Sequence, residues 1–351
     1  MRWDHLHRLT DCTGLIQHAT YSLPDLASGY TTDDNSRALA VLMRAPDTRA
    51  DPGLQRLAER YLSFLAYAQT ATGWFRNFMD YSRRFLDEEG SEDCFGRALV
   101  ACAEVMVGED AHPTRGATLL ARRLWSRALP HAPRLRAPRA RALTLVALQR
   151  YHEAFPQPRL QTLAHSLGES LLHAYRNSAA PGWRWFEDTI TYSNGVLPQG
   201  IMAAYLVTGQ RKFLRAGRET LDFLNDCCFR RGYLKLVGNR HWYRRGTTPA
   251  DFDEQPVDAA HLVEANLVAY LVTGASCYRE LALRAAAWFH GHNQLGISLV
   301  DSSTGGCYDG LTPDGVNLNQ GAESLLAHLW TQVLIRELQA AHEDVPAAGS
   351  S

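Results

Sequence analysis

The chain has 351 residues, with 36 basic against 37 acidic side chains and 10% aromatics. That balance supplies no net field to recruit nucleic acid or an anionic membrane. No apolar run approaches the roughly 20 residues of a membrane span, and the start Met1-Arg2-Trp3-Asp4-His5 lacks the apolar stretch of a secretory signal.

The length is ample for a sizeable core. The seven cysteines are scattered, with no CxxC pair and no Cys/His spacing suited to zinc. They are expected to be reduced, buried thiols in a cytoplasmic protein. No metal and no cofactor is expected. Heavy use of Arg and Ala over Lys suggests a GC-rich bacterial genome.

In chain order, apolar small-residue helices are expected at about 35–43, 93–107, 138–155, 194–207, 256–272 and 319–338. Between them lie amphipathic helices at about 54–69, 114–129, 159–176, 212–227 and 278–291. In the first of these, Leu54, Leu57, Tyr61, Phe64 and Leu65 form one stripe, while Gln55, Arg56, Glu59 and Arg60 lie off it. Strand-like alternation is scarce and short, at 232–236 and 296–300.

Enclosed helices alternating with one-sided ones imply two concentric layers. Six such hairpins closing on themselves make an all-α (α/α)6 toroid. The outer partner of one hairpin is left to either the N-terminal or the C-terminal segment. No linker divides the chain, so one domain is expected over 1–342, with a disordered tail at 343–351.

Loops running into the apolar helices carry most of the polar and aromatic residues. The leading one is Gly29-Tyr30-Thr31-Thr32-Asp33-Asp34-Asn35. One acid or amide there suffices as a helix N-cap; two acids, an amide and an aromatic exceed that need. Later loops bring Trp74; then Trp183, Trp185, Glu187, Asp188, Tyr192 and Asn194; then Trp242, Glu254, Gln255 and Asp258; then Tyr308, Asp309, Asn319, Gln320 and Glu323. Only the loop around 134–139 lacks acids and aromatics.

In a toroid these loops open at one mouth. Glycosidic cleavage needs two carboxyls about the scissile bond, one protonated and one ionised. Trp and Tyr faces hold pyranose rings, and Asn, Gln and Asp bind hydroxyls. Glu187, after Trp183, Trp185 and Phe186, is expected to be the general acid, its pKa raised by an apolar wall. Asp34 on its polar loop is expected to be the general base, with Asp33, Asp188 and Asp258 as support or alternates. The plain alternatives are capping for Asp33, Asp34 and Glu187, and ion pairing for Asp258, Glu264 and Glu323. Trp125 and Trp288 read as core. His18, His165, His261 and His328 lack ligand spacing and read as packing or hydrogen-bonding residues.

The segments HRLTD, QHA, GYTTDDNSRAL, EDCFGRAL, WFEDTITYSNGVLPQ, DEQPVDAA and GGCYDG with NQGAESLLAHL resemble a bacterial six-hairpin family labelled glycosidase-like. Its members occur alone or fused behind glycosyltransferase domains. The resemblance spans His7 to Leu338. It implies the (α/α)6 fold, a carbohydrate-active role and a possible glycosyltransferase partner, but no catalytic assignment.

The expectation is therefore an inverting glycoside hydrolase acting on an oligosaccharide. Sugar 2-epimerases of the same architecture are the rival; they need two histidines at the pocket centre, and here only His241 and His261 lie near candidate loops. Unsaturated uronyl hydrolases, working through an Asp pair, are a further alternative. So is a non-catalytic saccharide-binding partner of a glycosyltransferase.

Overall fold

The structure is a computed structural model that describes residues 1–108, 115–229 and 232–343. The helices among them are α1 (Asp4–Leu9), α2 (Thr32–Arg44), α3 (Asp47–Ala50), α4 (Pro52–Ala68), α5 (Glu92–Val107), α6 (Arg115–Ala128), α7 (Pro138–Ala154), α8 (Pro158–Ser178), α9 (Val196–Thr208), α10 (Arg211–Cys228), α11 (Pro256–Thr273), α12 (Ser276–Ala287) and α13 (Ala322–Glu343). The six expected apolar helices are α2, α5, α7, α9, α11 and α13. Each packs on the next, and α13 returns to α2, so they close a ring.

The amphipathic helices α4, α6, α8, α10 and α12 pack outside that ring. The sixth outer position goes to the N-terminal segment, where α1 lies against α13. Its Leu6 and Leu9 are fully buried, each burial contributing about 1.5–3 kcal/mol relative to exposure.

The inner helices approach closely because small residues line their seams. A Cβ on Gly200 of α9 would stand 2.5 Å from Ala142 Cα of α7. One on Gly195, just before α9, would stand 2.3 Å from the His261 carbonyl of α11. At the C-terminal end of the ring, Arg150 Nε lies 3.0 Å from Glu104, Arg44 pairs with Glu337, and the Arg44 guanidinium covers Trp330 at 5.0 Å. Charged side chains from four inner helices thus crowd that end, and the opposite end is the mouth.

The strands lie elsewhere than expected. Residues 232–236 form none, and 296–300 make only isolated bridges. Two-residue ladders instead tie loop to loop: Tyr30–Thr31 pairs with Phe78–Met79, and Thr189–Ile190 with Tyr243–Arg244. Such ladders are too short to show alternation, which is why the sequence hides them. Cys12 and Cys277 are exposed rather than buried; among the described cysteines all are free. Helix α13 runs through Glu343, and the rest of the expected tail lies outside the described residues.

Candidate active site at the mouth of the ring

Each inner helix begins at the mouth, and its first turn aims side chains inward. On α2 the cap is Thr31, not an acid or amide. Its Oγ1 accepts from Asp34 N at 3.0 Å and donates to Asp34 Oδ2 at 2.7 Å. That reciprocal pairing fixes the Asp34 carboxyl. Asn35 faces away, accepting from Leu15 N at 3.0 Å and anchoring the N-terminal segment.

One turn in, Arg37 donates from Nε to Asp33 Oδ1 at 2.6 Å and pairs through NH2 with Glu323 at 2.8 Å. Arg97, at the same level of α5, donates from Nε to Asp33 Oδ2 at 3.0 Å. Arg139 at the start of α7 donates to the Tyr192 carbonyl at 2.6 Å, to Thr191 Oγ1 at 2.7 Å and to Glu187 Oε2 at 2.8 Å. Its guanidinium also covers the Tyr192 ring at 4.5 Å. Three successive inner helices thus place an arginine at one level, Arg97 and Arg139 buried and Arg37 partly so. The recurring Arg-Ala-Leu at 37–39 and 97–99 was the available signal, overlooked beside the acids.

These partners divide the carboxyls. Burial alone would raise the Asp33 carboxyl, but Arg37 and Arg97 outweigh it and hold it below the usual range. Asp34 is pushed up to about 7, by burial first and by the neighbouring charges of Asp33 and Glu323, against the pull of Arg37. Asp258 is also pushed up to about 7, chiefly by burial, although it accepts from Asn194 N at 3.0 Å and Asn194 Nδ2 at 3.1 Å. Glu323 is half exposed at the rim and adds negative charge near Asp34, Asp258 and Asp309.

The mouth therefore gathers Asp33, Asp34, Glu187, Tyr192, Asn194, Asp258 and Glu323. Tyr192 is exposed, and its hydroxyl donates to Asp93 at 2.7 Å. Asp309 holds the start of α13 by accepting from Gly321 N at 2.9 Å. Asn319 Oδ1 accepts from Tyr21 N at 2.9 Å. Gln255 stands at the N-cap position of α11 without a side-chain capping bond, while Trp242 and Tyr308 are partly exposed on their loops.

Several expected site residues lie elsewhere. Asp188 is on the surface, paired with Arg245 at 2.7 Å. Tyr30 is core, its hydroxyl donating to Asp11 at 2.6 Å. Trp185 is fully buried, and Trp183 is buried with its Nε1 donating to the Glu187 carbonyl at 2.8 Å. Trp183 thus shapes the Glu187 loop from beneath and offers no sugar-stacking face. Trp74 is half buried and stacks on Phe95 at 4.5 Å between ring centroids. Glu254 is sealed in, accepting from Trp288 Nε1 at 2.9 Å, Leu236 N at 2.9 Å and Gln294 Nε2 at 2.6 Å. Gln320 is buried between Thr304 and Asp301. Aromatic-rich loops served the core more than the mouth, which sequence spacing does not distinguish.

Below the mouth an axial cavity of about 80 Å³ runs between the inner helices. Ser36, Arg37, Arg97, Gln199 and His261 line it with Ala40, Val100, Val257 and Leu326. Among the described residues His261 is the only histidine on its wall.

No family model and no curated protein matches the chain. Solved structures do. A sugar epimerase from a ruminal bacterium superposes with TM-score 0.70 at 15% identity, covering 95% of each chain. Cellobiose 2-epimerase from Bacillus thermoamylovorans B4167 gives 0.69 at 13%, again over 95% of each. A GH76 α-mannanase from Bacteroides thetaiotaomicron gives 0.60 at 10%, over 90% of this chain and 88% of that one. The chain is an (α/α)6 toroid. Because that toroid carries both epimerases and hydrolases, its likeness to them gives the architecture and leaves the chemistry to the residues of the mouth. No helix of the described toroid is long and apolar enough to cross a membrane.

Proposed function

We propose that the chain is a carbohydrate-active enzyme that cleaves a glycosidic bond at this mouth by carboxyl acid/base chemistry. The observation that supports it is the division of two carboxyls. Asp34 keeps its proton up to about pH 7, while Glu187 is ion-paired with the Arg139 guanidinium at 2.8 Å. Asp34 belongs to the α2 side, Glu187 lies over α7, and the Asp33–Arg97 pair stands between them.

In this reading the sequence-based roles are exchanged. Asp34 is the general acid and gives its proton to the leaving glycosidic oxygen. Glu187 is the general base and takes a proton from the water that attacks the anomeric carbon. The proton on Glu187 returns to solvent and Asp34 is reprotonated, so the cycle closes with inversion. Asp258 is the alternate acid. Asp33 positions Arg37 and Arg97 and is spoken for by both. Tyr192 and Glu323 provide the sugar contacts, and Asn194 holds the Asp258 carboxyl in place.

A second reading is interconversion of free sugars, favoured by His261, a buried imidazole on the cavity wall. Epimerisation calls for a second proton carrier on the opposite face, which Asp258, one turn earlier on the same side of α11, does not supply. We further propose a cytoplasmic protein, as the scattered cysteines suggest, with a glycosyltransferase partner, as the sequence resemblance implies.

The test is a screen of oligosaccharides followed by proton NMR. Release of a reducing end, with its first anomer of inverted configuration, supports hydrolysis. Interconversion of a free sugar without new reducing ends transfers the role to His261. Binding without turnover reduces the site to saccharide recognition.

A further inference from the structure

The loop after α4 runs beside the start of α2 and is fastened to it. Thr32 N donates to the Asn77 carbonyl at 2.9 Å, Thr32 Oγ1 to the Arg76 carbonyl at 2.6 Å, and Asp33 N to Asn77 Oδ1 at 3.1 Å. In the two-residue ladder Tyr30 stands opposite Met79, and Thr31 opposite Phe78. Opposed residues share a face, and successive residues alternate faces. Tyr30 and Met79 take the core face, each 1% exposed. Thr31 and Phe78 share the other.

That other face carries the Asp34 carboxyl, to which Thr31 Oγ1 donates at 2.7 Å. Phe78 makes its backbone bonds on the far side. Its N–H donates to Asp87 Oδ1 at 2.9 Å, and its carbonyl accepts from Leu86 N at 2.8 Å. The Thr31 carbonyl accepts from Asn35 Nδ2 at 2.7 Å. Thr31 and Phe78 are therefore a non-hydrogen-bonded pair, the kind whose side chains stand closest. The Phe78 side chain neighbours the hydroxyl that holds the proposed general acid, and it is 48% exposed.

A lone exposed phenylalanine means little. Two observations give this one a role. Its backbone is tied at both polar atoms, and Asp87 also accepts from Asn77 N at 2.7 Å, so the ring stands on a fixed base and binding needs little ordering. A second exposed ring, Tyr192, accompanies the other carboxyl, because the Arg139 guanidinium that pairs with Glu187 also covers it. Each proposed catalytic carboxyl thus has one exposed aromatic beside it. In inverting hydrolysis the acid serves the leaving oxygen and the base works from the opposite face. The ring beside Asp34 belongs to the leaving group.

We infer that Phe78 is the platform for the leaving sugar, its ring stacked on the C–H face of a pyranose whose glycosidic oxygen Asp34 protonates. The substrate class is then a saccharide cleaved between two pyranoses, not a free monosaccharide or the glycoside of a small alcohol. The inference rests on the reading of Asp34 as general acid of the mouth.

Kinetics of the whole chain and of Phe78→Ala and Phe78→Trp test it. One substrate is the saccharide cleaved fastest in a screen that includes cellobiose, maltose, lactose and melibiose. The other is the glycosyl fluoride of its non-reducing sugar, of the same anomer, in which a single atom replaces the leaving sugar. Phe78→Ala is expected to lower kcat/KM for the saccharide about tenfold, mainly through KM, as loss of one stacked ring would give. Fluoride hydrolysis and the thermal midpoint should stay unchanged, and Phe78→Trp should restore the saccharide. Asp34→Asn, measured alongside, reports on the underlying reading: it should lose the saccharide and keep the fluoride, which departs without a proton. Where Asp34→Asn behaves so, an equal loss on both substrates in Phe78→Ala, or no loss on either, overturns the platform and leaves the mouth reading standing. Binding or interconversion of free sugars with no saccharide cleaved also overturns it, since no sugar then leaves. Absence of binding and turnover with every saccharide of the screen removes the mouth reading and the inference together.

Discussion

Asp33 joins α2 to α5 through one carboxylate, holding Arg37 Nε at 2.6 Å with Oδ1 and Arg97 Nε at 3.0 Å with Oδ2. Replacing it with Asn would leave two mostly buried guanidiniums facing an amide. Breaking one side of such a cluster costs more than the cluster contributes, because the orphaned charges stay desolvated. Asp33→Asn is expected to destabilise the chain by about 3 kcal/mol in urea denaturation at pH 7. The Asp33 carboxyl is held below its usual range. Its contribution is therefore present above the unfolded value of about 4 and lost as pH falls below it. The gap between variant and wild type should narrow toward pH 3; a gap that stays constant refutes the assignment.

Asp34 sets the alkaline limit of the proposed reaction. Its carboxyl is pushed up to about 7 by burial and by Asp33 and Glu323. A general acid works protonated, so the rate should fall as pH rises through about 7. Asp34→Asn keeps the acceptor that Thr31 Oγ1 uses and lacks the transferable proton. Turnover is expected to drop by roughly 10²–10⁴-fold with the fold retained, as checked by initial rates beside circular dichroism. A variant of near-normal rate would return the acid role to Asp258.

Much of the architecture was legible because helix periodicity is a strong local signal. All six inner helices stand within a few residues of their expected bounds, from α2 at Thr32–Arg44 to α13 at Ala322–Glu343. The short strands were invisible, since two residues carry no period. The mouth was only partly legible. Acids at helix starts, Asp33, Asp34 and Asp258, do lie where the loops converge. Aromatics mark the mouth poorly: Tyr30 and Trp185 occupy loops of the same composition yet fill the core. The arginines escaped notice because Arg37, Arg97 and Arg139 sit inside helices, where a charged residue usually marks a solvated face. Only closure of the ring turns that face inward.

The seam between α7 and α9 depends on the absence of a side chain at Gly200. A Cβ there would stand 2.5 Å from both Ala142 Cα and Ala142 Cβ. The contact includes backbone, so no flexible side chain can yield; the two helices must part. Overpacking of this kind typically costs about 1–3 kcal/mol. Gly200→Ala gains helix propensity of up to about 1 kcal/mol, which offsets part of that loss. A net destabilisation of about 1 kcal/mol is expected in denaturant melts. The larger Gly200→Val should unfold the ring at markedly lower denaturant. A stabilised Gly200→Ala would mean the helices are not in contact there.

Asp258 links the mouth to stability through its proton. Burial raises its carboxyl from 3.8 to about 7, despite two bonds accepted from Asn194. A carboxyl raised on folding favours the folded state while protonated. Its contribution is complete below about pH 4 and lost as pH rises through about 7; above that the folded chain carries a charge it holds poorly. Asp258→Asn removes the titration and keeps an amide oxygen for Asn194 N. Near pH 4 the variant should match the wild type. At pH 8 it should be the more stable of the two, by on the order of 2–4 kcal/mol at about 1.4 kcal/mol per pKa unit. Asp34 and Glu254 are raised in the same direction, so some alkaline loss persists in the variant. Thermal melts of both proteins from pH 4 to 8 decide the matter: parallel curves would place the Asp258 carboxyl in its ordinary range, and with it remove the alternate acid from the mouth.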